Sequence, residues 1–295
     1  MGWACFLTVY FIQIYGIIDE EVISLDIKLG FIGTGNMGAA LIKGIINSNT
    51  LSAGQIYAYD IDAEKLKILR NETGIGISGS IDEVVGLSDY IILAVKPSTV
   101  KQVLEKCKGK LAGGKVLMSI AVGIPLKVYK DILGSKSKVV RTMPNTPALV
   151  GEGMTLVSFD DNIVESEKAT VMKLFECAGK VDVLEEKLMN EVTALTGSSP
   201  AYVFMFIEAM ADAAVLSGIP RNMAYRLAAQ SVLGSARMVL ETGKHPGELK
   251  DQVCSPAGTT IEAVSTLEKL GFRYAVIEAM NECTRRAREI GKMYE

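Results

Sequence analysis

The apolar positions of this chain fall into two regimes. From Lys28 to about Lys180, short apolar runs alternate with stretches whose apolar residues recur at helical spacing. The runs are too short for buried helices and read as strands covered on both faces. Leu29 to Ile32 is the first, Gln55 to Asp60 the second, and Tyr90 to Val95 follows a helix end at Ser88-Asp89. Val116 to Ile120 and the stretch from Val139, with its proline-rich exit at Pro144 and Pro147, continue the series. Helical patterns intervene over Asp62 to Arg70 and from Val100 onward. This alternation predicts an α/β fold with a doubly wound parallel sheet.

After Leu184 the pattern is helical only. Ser199-Pro200 reads as a cap and first helical residue, and Ala201 to Leu216 is apolar on nearly all sides until Gly218 and Pro220 stop it. Asn222 to Leu240 predicts a second long helix, ended at Gly243. A short helix opens at His245-Pro246, and Thr260 to Leu270 and Phe272 to Ile290 complete an all-α C-terminal domain. A helix apolar all round is buried, in a core or in a subunit interface. This domain has little core of its own, so dimerisation through it is expected. Glu208 and Asp212 argue against a membrane span.

The first strand runs into Gly33-Thr34-Gly35-Asn36-Met37-Gly38, a G-x-G-x-x-G turn that opens a helix at Ala39. The first glycine permits a tight turn, the second lets a pyrophosphate approach the backbone, and the third lets helix pack on strand. The helix start offers free N–H groups to phosphates. Asp60 ends the second strand about twenty residues on, where an acid accepts a ribose 2′-OH. The plain alternative is a glycine-rich turn with a solvated Asp60. In sheets of this kind ligands lie beyond the carboxyl ends of the strands, so Gly33, Asp60, Ala94 to Pro97, Ala121 and Pro144-Asn145 are expected to line one crevice. The expected divisions are an extension at 1–27, a dinucleotide-binding domain at 28–184 and a helical substrate-binding and dimerisation domain at 185–295.

Composition narrows the field. The chain has 295 residues, 49% hydrophobic and 22% charged, with net charge -3, so no nucleic-acid footprint appears. Cys5, Cys107, Cys177, Cys254 and Cys283 are dispersed, which fits reduced thiols in a cytoplasm. His245 is the single histidine, so a His-rich metal site is out of reach and no metal is expected. Trp3 to Ile18 is mostly apolar, yet no lysine or arginine precedes Lys28, and the run falls short of the about 20 apolar residues of a membrane span. It is expected to contribute no function, whether as an extension or a misassigned start. A packed helix and a weakly membrane-associating segment are the alternatives.

A second informative stretch is Cys254-Ser255-Pro256-Ala257-Gly258-Thr259-Thr260-Ile261. A turn at Pro256 and Gly258 places hydroxyls, N–H groups and a helix dipole together, which suits a small carboxylate. Simple N-capping by Ser255 or Thr260 accounts for the same residues. With these motifs, Ala94-Val95-Lys96-Pro97, Arg141 to Pro147 and Leu195 to Tyr202, the chain from Lys28 onward resembles the pyrroline-5-carboxylate reductases, which complete proline synthesis.

The resemblance implies a Rossmann domain, a helical domain that interlocks in a homodimer, and dimers that often assemble into decamers. It implies hydride transfer from NADH or NADPH to 1-pyrroline-5-carboxylate. Ser255, Gly258, Thr259 and Thr260 then hold the substrate, with Thr260 as the candidate catalytic group. The glycine loop from Gly33 to Gly38, Asp60, Ala94 to Pro97 (Ala94, Val95, Lys96, Pro97), Ala121, Val122 and Gln252 contact the cofactor. Asp60 should repel a 2′-phosphate, so NADH is expected to serve at least as well as NADPH, with Lys65 and Lys67 a partial offset. The β-hydroxyacid dehydrogenases share the opening motif but use a lysine on the helix after the Rossmann domain, where this chain has Gly197 to Ala201. A non-catalytic dinucleotide sensor has no need of the Ser255 to Thr260 turn. His245, before a proline, reads as a structural turn residue. Arg141 suits an anion or a pair within its own domain.

Overall fold

The structure, a computed structural model, describes residues 25–111 and 114–294. The expectations for residues 1–24 lie outside the described residues. The strands β1 (Leu29–Ile32), β2 (Ile56–Tyr59), β3 (Gly76–Ile77), β4 (Tyr90–Leu93), β5 (Val116–Ser119), β6 (Lys138–Met143), β7 (Gly153–Phe159) and β8 (Gly179–Val183) form one sheet in the order β3-β2-β1-β4-β5-β6-β7-β8. The sheet is parallel from β3 across to β6. It is flanked by α1 (Asn36–Asn47), α2 (Ala63–Thr73), α3 (Ile81–Leu87), α4 (Pro97–Cys107), α5 (Leu126–Leu133) and α6 (Glu165–Glu176).

Alternation along the strands assigns side chains to two cores. Leu29, Phe31, Tyr90 and Ile92 pack in one, and Ile32, Ile91 and Leu93 in the other. Both faces are covered, which is why these strands read as unbroken apolar runs. Leu25 and Ile27 already pack on the first core, and Gln55 Nε2 donates to the carbonyls of both, at 2.8 and 3.1 Å. The packed domain therefore takes in residues ahead of the expected boundary at Lys28.

One departure from the expected parallel sheet is β7, which runs antiparallel to β6. The connection 144–152 holds only a 3-10 turn, Thr146–Val150, closed by Gly151 at φ 77°. That is too short for the crossover a parallel strand needs, so the chain folds straight back. Beyond α6, β8 then pairs parallel with β7.

The helical domain consists of α7 (Ser199–Leu216), α8 (Arg221–Thr242), α9 (Pro246–Val253), α10 (Thr259–Lys269) and α11 (Phe272–Lys292). Ser199 lies inside α7 rather than capping it: its hydroxyl donates to the Leu195 carbonyl at 2.6 Å. The N-cap position falls to Ser198, whose hydroxyl accepts from the Cys283 thiol on α11 instead of from its own helix. His245 caps α9, its Nδ1 accepting from Gly247 N at 3.0 Å, the structural role its place before Pro246 suggested. The two domains join at Arg141 on β6, which is 4% exposed. Its Nη2 donates to Asn190 Oδ1 at 2.6 Å, and its Nη1 lies 3.7 Å from Glu186. It pairs across the domain boundary rather than within its own domain or with an outside anion.

Candidate active site

The glycine turn departs from β1 at the point where the chain order reverses, between β2 and β4. Gly33 sits at φ 98°, a region costly for residues with a Cβ. A Cβ there would lie 2.6 Å from the Ala94 carbonyl oxygen, so the turn can press against the end of β4 only with glycine. A Cβ on Gly38 would lie 2.7 Å from the Gly33 carbonyl oxygen, which fixes how closely α1 meets the turn. A Cβ on Gly35 would meet nothing within 4 Å: here the backbone faces open space. Gly35 is also the N-cap of α1, with no side chain capping it and no acid in the first turn. Thr34, Asn36 and Met37 complete the loop and the first turn. This cradle fits a dinucleotide pyrophosphate.

Asp60 stands just past β2 and is tied to the same loop. Its Oδ2 accepts from Thr34 N at 2.6 Å and from Thr34 Oγ1 at 3.0 Å, and its Oδ1 accepts from Asp62 N at 2.9 Å. The carboxylate therefore fastens the glycine loop to the end of β2. Gly33, Gly35, Asp60, Ala94, Val95 and Lys96 line one cleft of about 500 Å³. Pro97 is the first residue of α4, next to Lys96. Ala121 and Val122 follow β5. Ala121 N donates to Ser119 Oγ at 3.3 Å, and that hydroxyl is shared with buried Tyr129 OH at 2.6 Å. Burial pushes the Tyr129 phenol up to about 12, so it stays a neutral hydrogen-bonding strut.

The cleft also takes in Ile61, Thr99, Gln102, Val103 and Lys106. No motif marks these. Their only signal is spacing, since positions 99, 102, 103 and 106 share one face of α4. Ile61 is 92% exposed beside Asp60, an apolar rim for a base to cover.

The second site forms at the start of α10. Pro256 and Ala257 make the turn, and Gly258 is the N-cap with no side-chain hydrogen bond to the helix. Among the described residues, the hydroxyls of Ser255, Thr259 and Thr260 have no hydrogen-bond partner. Ser255 Oγ lies over Gly258, where an added Cβ would come within 2.3 Å of it. Simple capping thus fails to explain these residues, and the N–H groups of the first turn stay open to an anion. Gln252, one turn upstream, is exposed and donates to Glu248 Oε1 at 3.1 Å.

The chain alone does not bring the two sites together, for no residue of the 252–260 stretch lines the cleft. Metal ligation has no candidate among the described residues. Burial pushes the Cys107 thiol up to about 11 and Cys177 to about 12, which leaves them unreactive.

A glycine-cradled cleft at the sheet's switch point, joined to an apolar helical domain with an open helix start, defines a dinucleotide-dependent oxidoreductase. Residues 28–123 match the family described as NADP oxidoreductase coenzyme F420-dependent, and residues 186–290 match pyrroline-5-carboxylate reductase dimerisation. The chain is 48% identical over 268 residues to pyrroline-5-carboxylate reductase of Escherichia coli (strain K12), covering 91% of this chain and 100% of that relative. It is 44% identical to the Methanosarcina acetivorans enzyme of that name, over 90% of this chain and 98% of the relative. The structure of Plasmodium falciparum pyrroline carboxylate reductase with NADP bound is similar at a TM-score of 0.83 and 34% identity, covering 91% and 99% of the two chains. The chain belongs to the pyrroline-5-carboxylate reductase family.

Proposed function

We propose that the chain reduces the C=N bond of 1-pyrroline-5-carboxylate to give L-proline, the last step of proline biosynthesis. The observation that carries this reading is the start of α10, an uncapped helix terminus ringed by three unengaged hydroxyls. NADH or NADPH, when bound, supplies the hydride that adds to the imine carbon, while a proton goes to the ring nitrogen and the nicotinamide leaves oxidised.

The chain's own work is positioning and electrostatics. First-turn N–H groups and the positive end of α10 hold the substrate carboxylate, with Ser255, Gly258 and Thr259 shaping the turn. The Thr260 hydroxyl hydrogen-bonds the ring nitrogen and relays its proton. A protonated imine is a good electrophile, so no strong base is required. That suits a chain whose single histidine is engaged as a helix cap.

On the cofactor side, the glycine loop from Gly33 to Gly38 takes the pyrophosphate. Ala94 to Pro97, Ala121 and Val122 flank the nicotinamide half, and Gln252 approaches it. Asp60 keeps Oδ1 capacity for a ribose hydroxyl beside the Asp62 hydrogen bond. NADH is therefore used at least as well as NADPH. Because cleft and turn are apart within one chain, a second copy, paired through the helical domain, completes the site. The homodimer, its further assembly into decamers, a cytoplasmic location and the absence of nucleic-acid binding or stable membrane insertion belong to this same reading.

Replacing Thr260 tests the site. Thr260→Ala should lower kcat/KM for 1-pyrroline-5-carboxylate by about tenfold or more. Dinucleotide affinity should hold, and Thr260→Ser should keep most of the activity. Unchanged turnover and substrate affinity in Thr260→Ala would remove this role.

A further inference from the structure

The cleft that Gly35 faces does not end at Asp60. Lys106, on the last turn of α4, lines it and also lines a neighbouring depression of about 420 Å³ bounded by Tyr59, Ser80 and Lys108. The two hollows thus meet at Lys106, next to the end of β2 where a ribose 2′ position falls.

The charges around this depression are unequal in their commitments. Lys110 Nζ is 2.6 Å from Asp82 Oδ1, which closes that pair. Asp60 is held by Thr34 and Asp62. Lys106 and Lys108 have no hydrogen bond or ion pair among the described residues. Glu105 also borders the depression, and the carbonyl end of α4 adds a partial negative charge. Without a free cation the depression would therefore repel an anion, and Asp60 would add to the repulsion.

We propose that Lys106 is the specificity residue that admits a 2′-phosphorylated dinucleotide to this chain, its ammonium meeting the phosphate in the depression between Tyr59 and Ser80. The proposal rests on the nicotinamide reading of the cleft. It refines that reading: Asp60 favours the unphosphorylated cofactor, and Lys106 offsets this enough for both to bind. Lysine suits the task as a point charge on a flexible stem, able to reach an anion at a hollow's edge.

Equilibrium binding of NADP⁺ and NAD⁺ to the full chain, by calorimetry, tests this apart from turnover. Lys106→Ala should weaken NADP⁺ about tenfold, the scale of one hydrogen bond to a charged group, and leave NAD⁺ within about twofold. Lys106→Glu should weaken NADP⁺ further, and Lys106→Arg should restore it. Lys101→Ala, on the same helix but outside both hollows, should change neither. Added salt should weaken NADP⁺ more steeply in the parent than in Lys106→Ala. Equal losses for both dinucleotides, or no loss of NADP⁺, would overturn the role of Lys106 while the cofactor reading stood. A parent chain that bound neither dinucleotide would overturn both.

Discussion

Ala257, in the turn before α10, has φ 55°, a left-handed conformation that L-residues with a Cβ seldom adopt. The conformation carries the chain from α9 into the open start of α10, so the strain is local to the proposed substrate turn. Ala257→Gly should relieve it and raise stability by about 1 kcal/mol, read from the urea midpoint at constant m-value. No gain would mean the turn is unstrained. At this scale the glycine motif was legible, because each glycine answers to a steric demand that sequence spacing reports. The capture of Asp60 by Thr34 was not legible, since it depends on how a loop hydroxyl and N–H converge on one carboxylate oxygen. Ser119 and Tyr129 were equally hidden. They sit in an apolar strand and an amphipathic helix, and only packing brings their hydroxyls together.

The elements that fill both cores were readable from their apolar runs, and β1, β4 and β5 lie within the expected stretches. The short edge strand β3 and the half-exposed β8 gave weaker signals, because none of their residues is fully buried. The reversal at β7 depended on the length of a connection rather than on any residue pattern. Between the two domains, Arg141 ties β6 to the segment holding Glu186 and Asn190, and Glu186 in turn accepts from Leu126 N at the start of α5. Desolvation lowers the Arg141 pKa, while Glu186 opposes that shift, so the guanidinium relies on its partners. Arg141→Met would leave Asn190 without its donor. It should cost about 2 kcal/mol or more of stability in denaturant unfolding. A loss below about 0.5 kcal/mol would show that the joint does not depend on this residue.

For the molecule as a whole, the all-round apolar character of Ala201 to Leu216 was plain in the sequence, and the structure gives it a physical setting. Only Ala211 of α7, Ala224 and Ala228 of α8, and Ala287 and Gly291 of α11 are buried in their helices. Phe204, Met205, Leu227 and Ile277 remain exposed. Each such side chain gains about 1.5–3 kcal/mol on full burial, so this face calls for a partner. The segment Val192–Leu216 is long and apolar enough to cross a membrane, but it carries Glu208 and Asp212, and Asp212 pairs with Arg221. A match to the dimerisation family over residues 186–290 fits a protein partner for this face. Pairing would also give the proposed substrate turn of one copy a route to the other's dinucleotide cleft, a relation that no pattern within a single chain expresses.

In the proposed reaction, cleft and turn together reduce a cyclic imine. The direct measurement supplies the purified full chain with 1-pyrroline-5-carboxylate and either NADH or NADPH, following nicotinamide oxidation and proline formed in the same reaction. Proline is expected in equal amount to nicotinamide oxidised, with NADH at least as effective as NADPH. Protein that binds the dinucleotide yet forms no proline with either would overturn the proposed reaction.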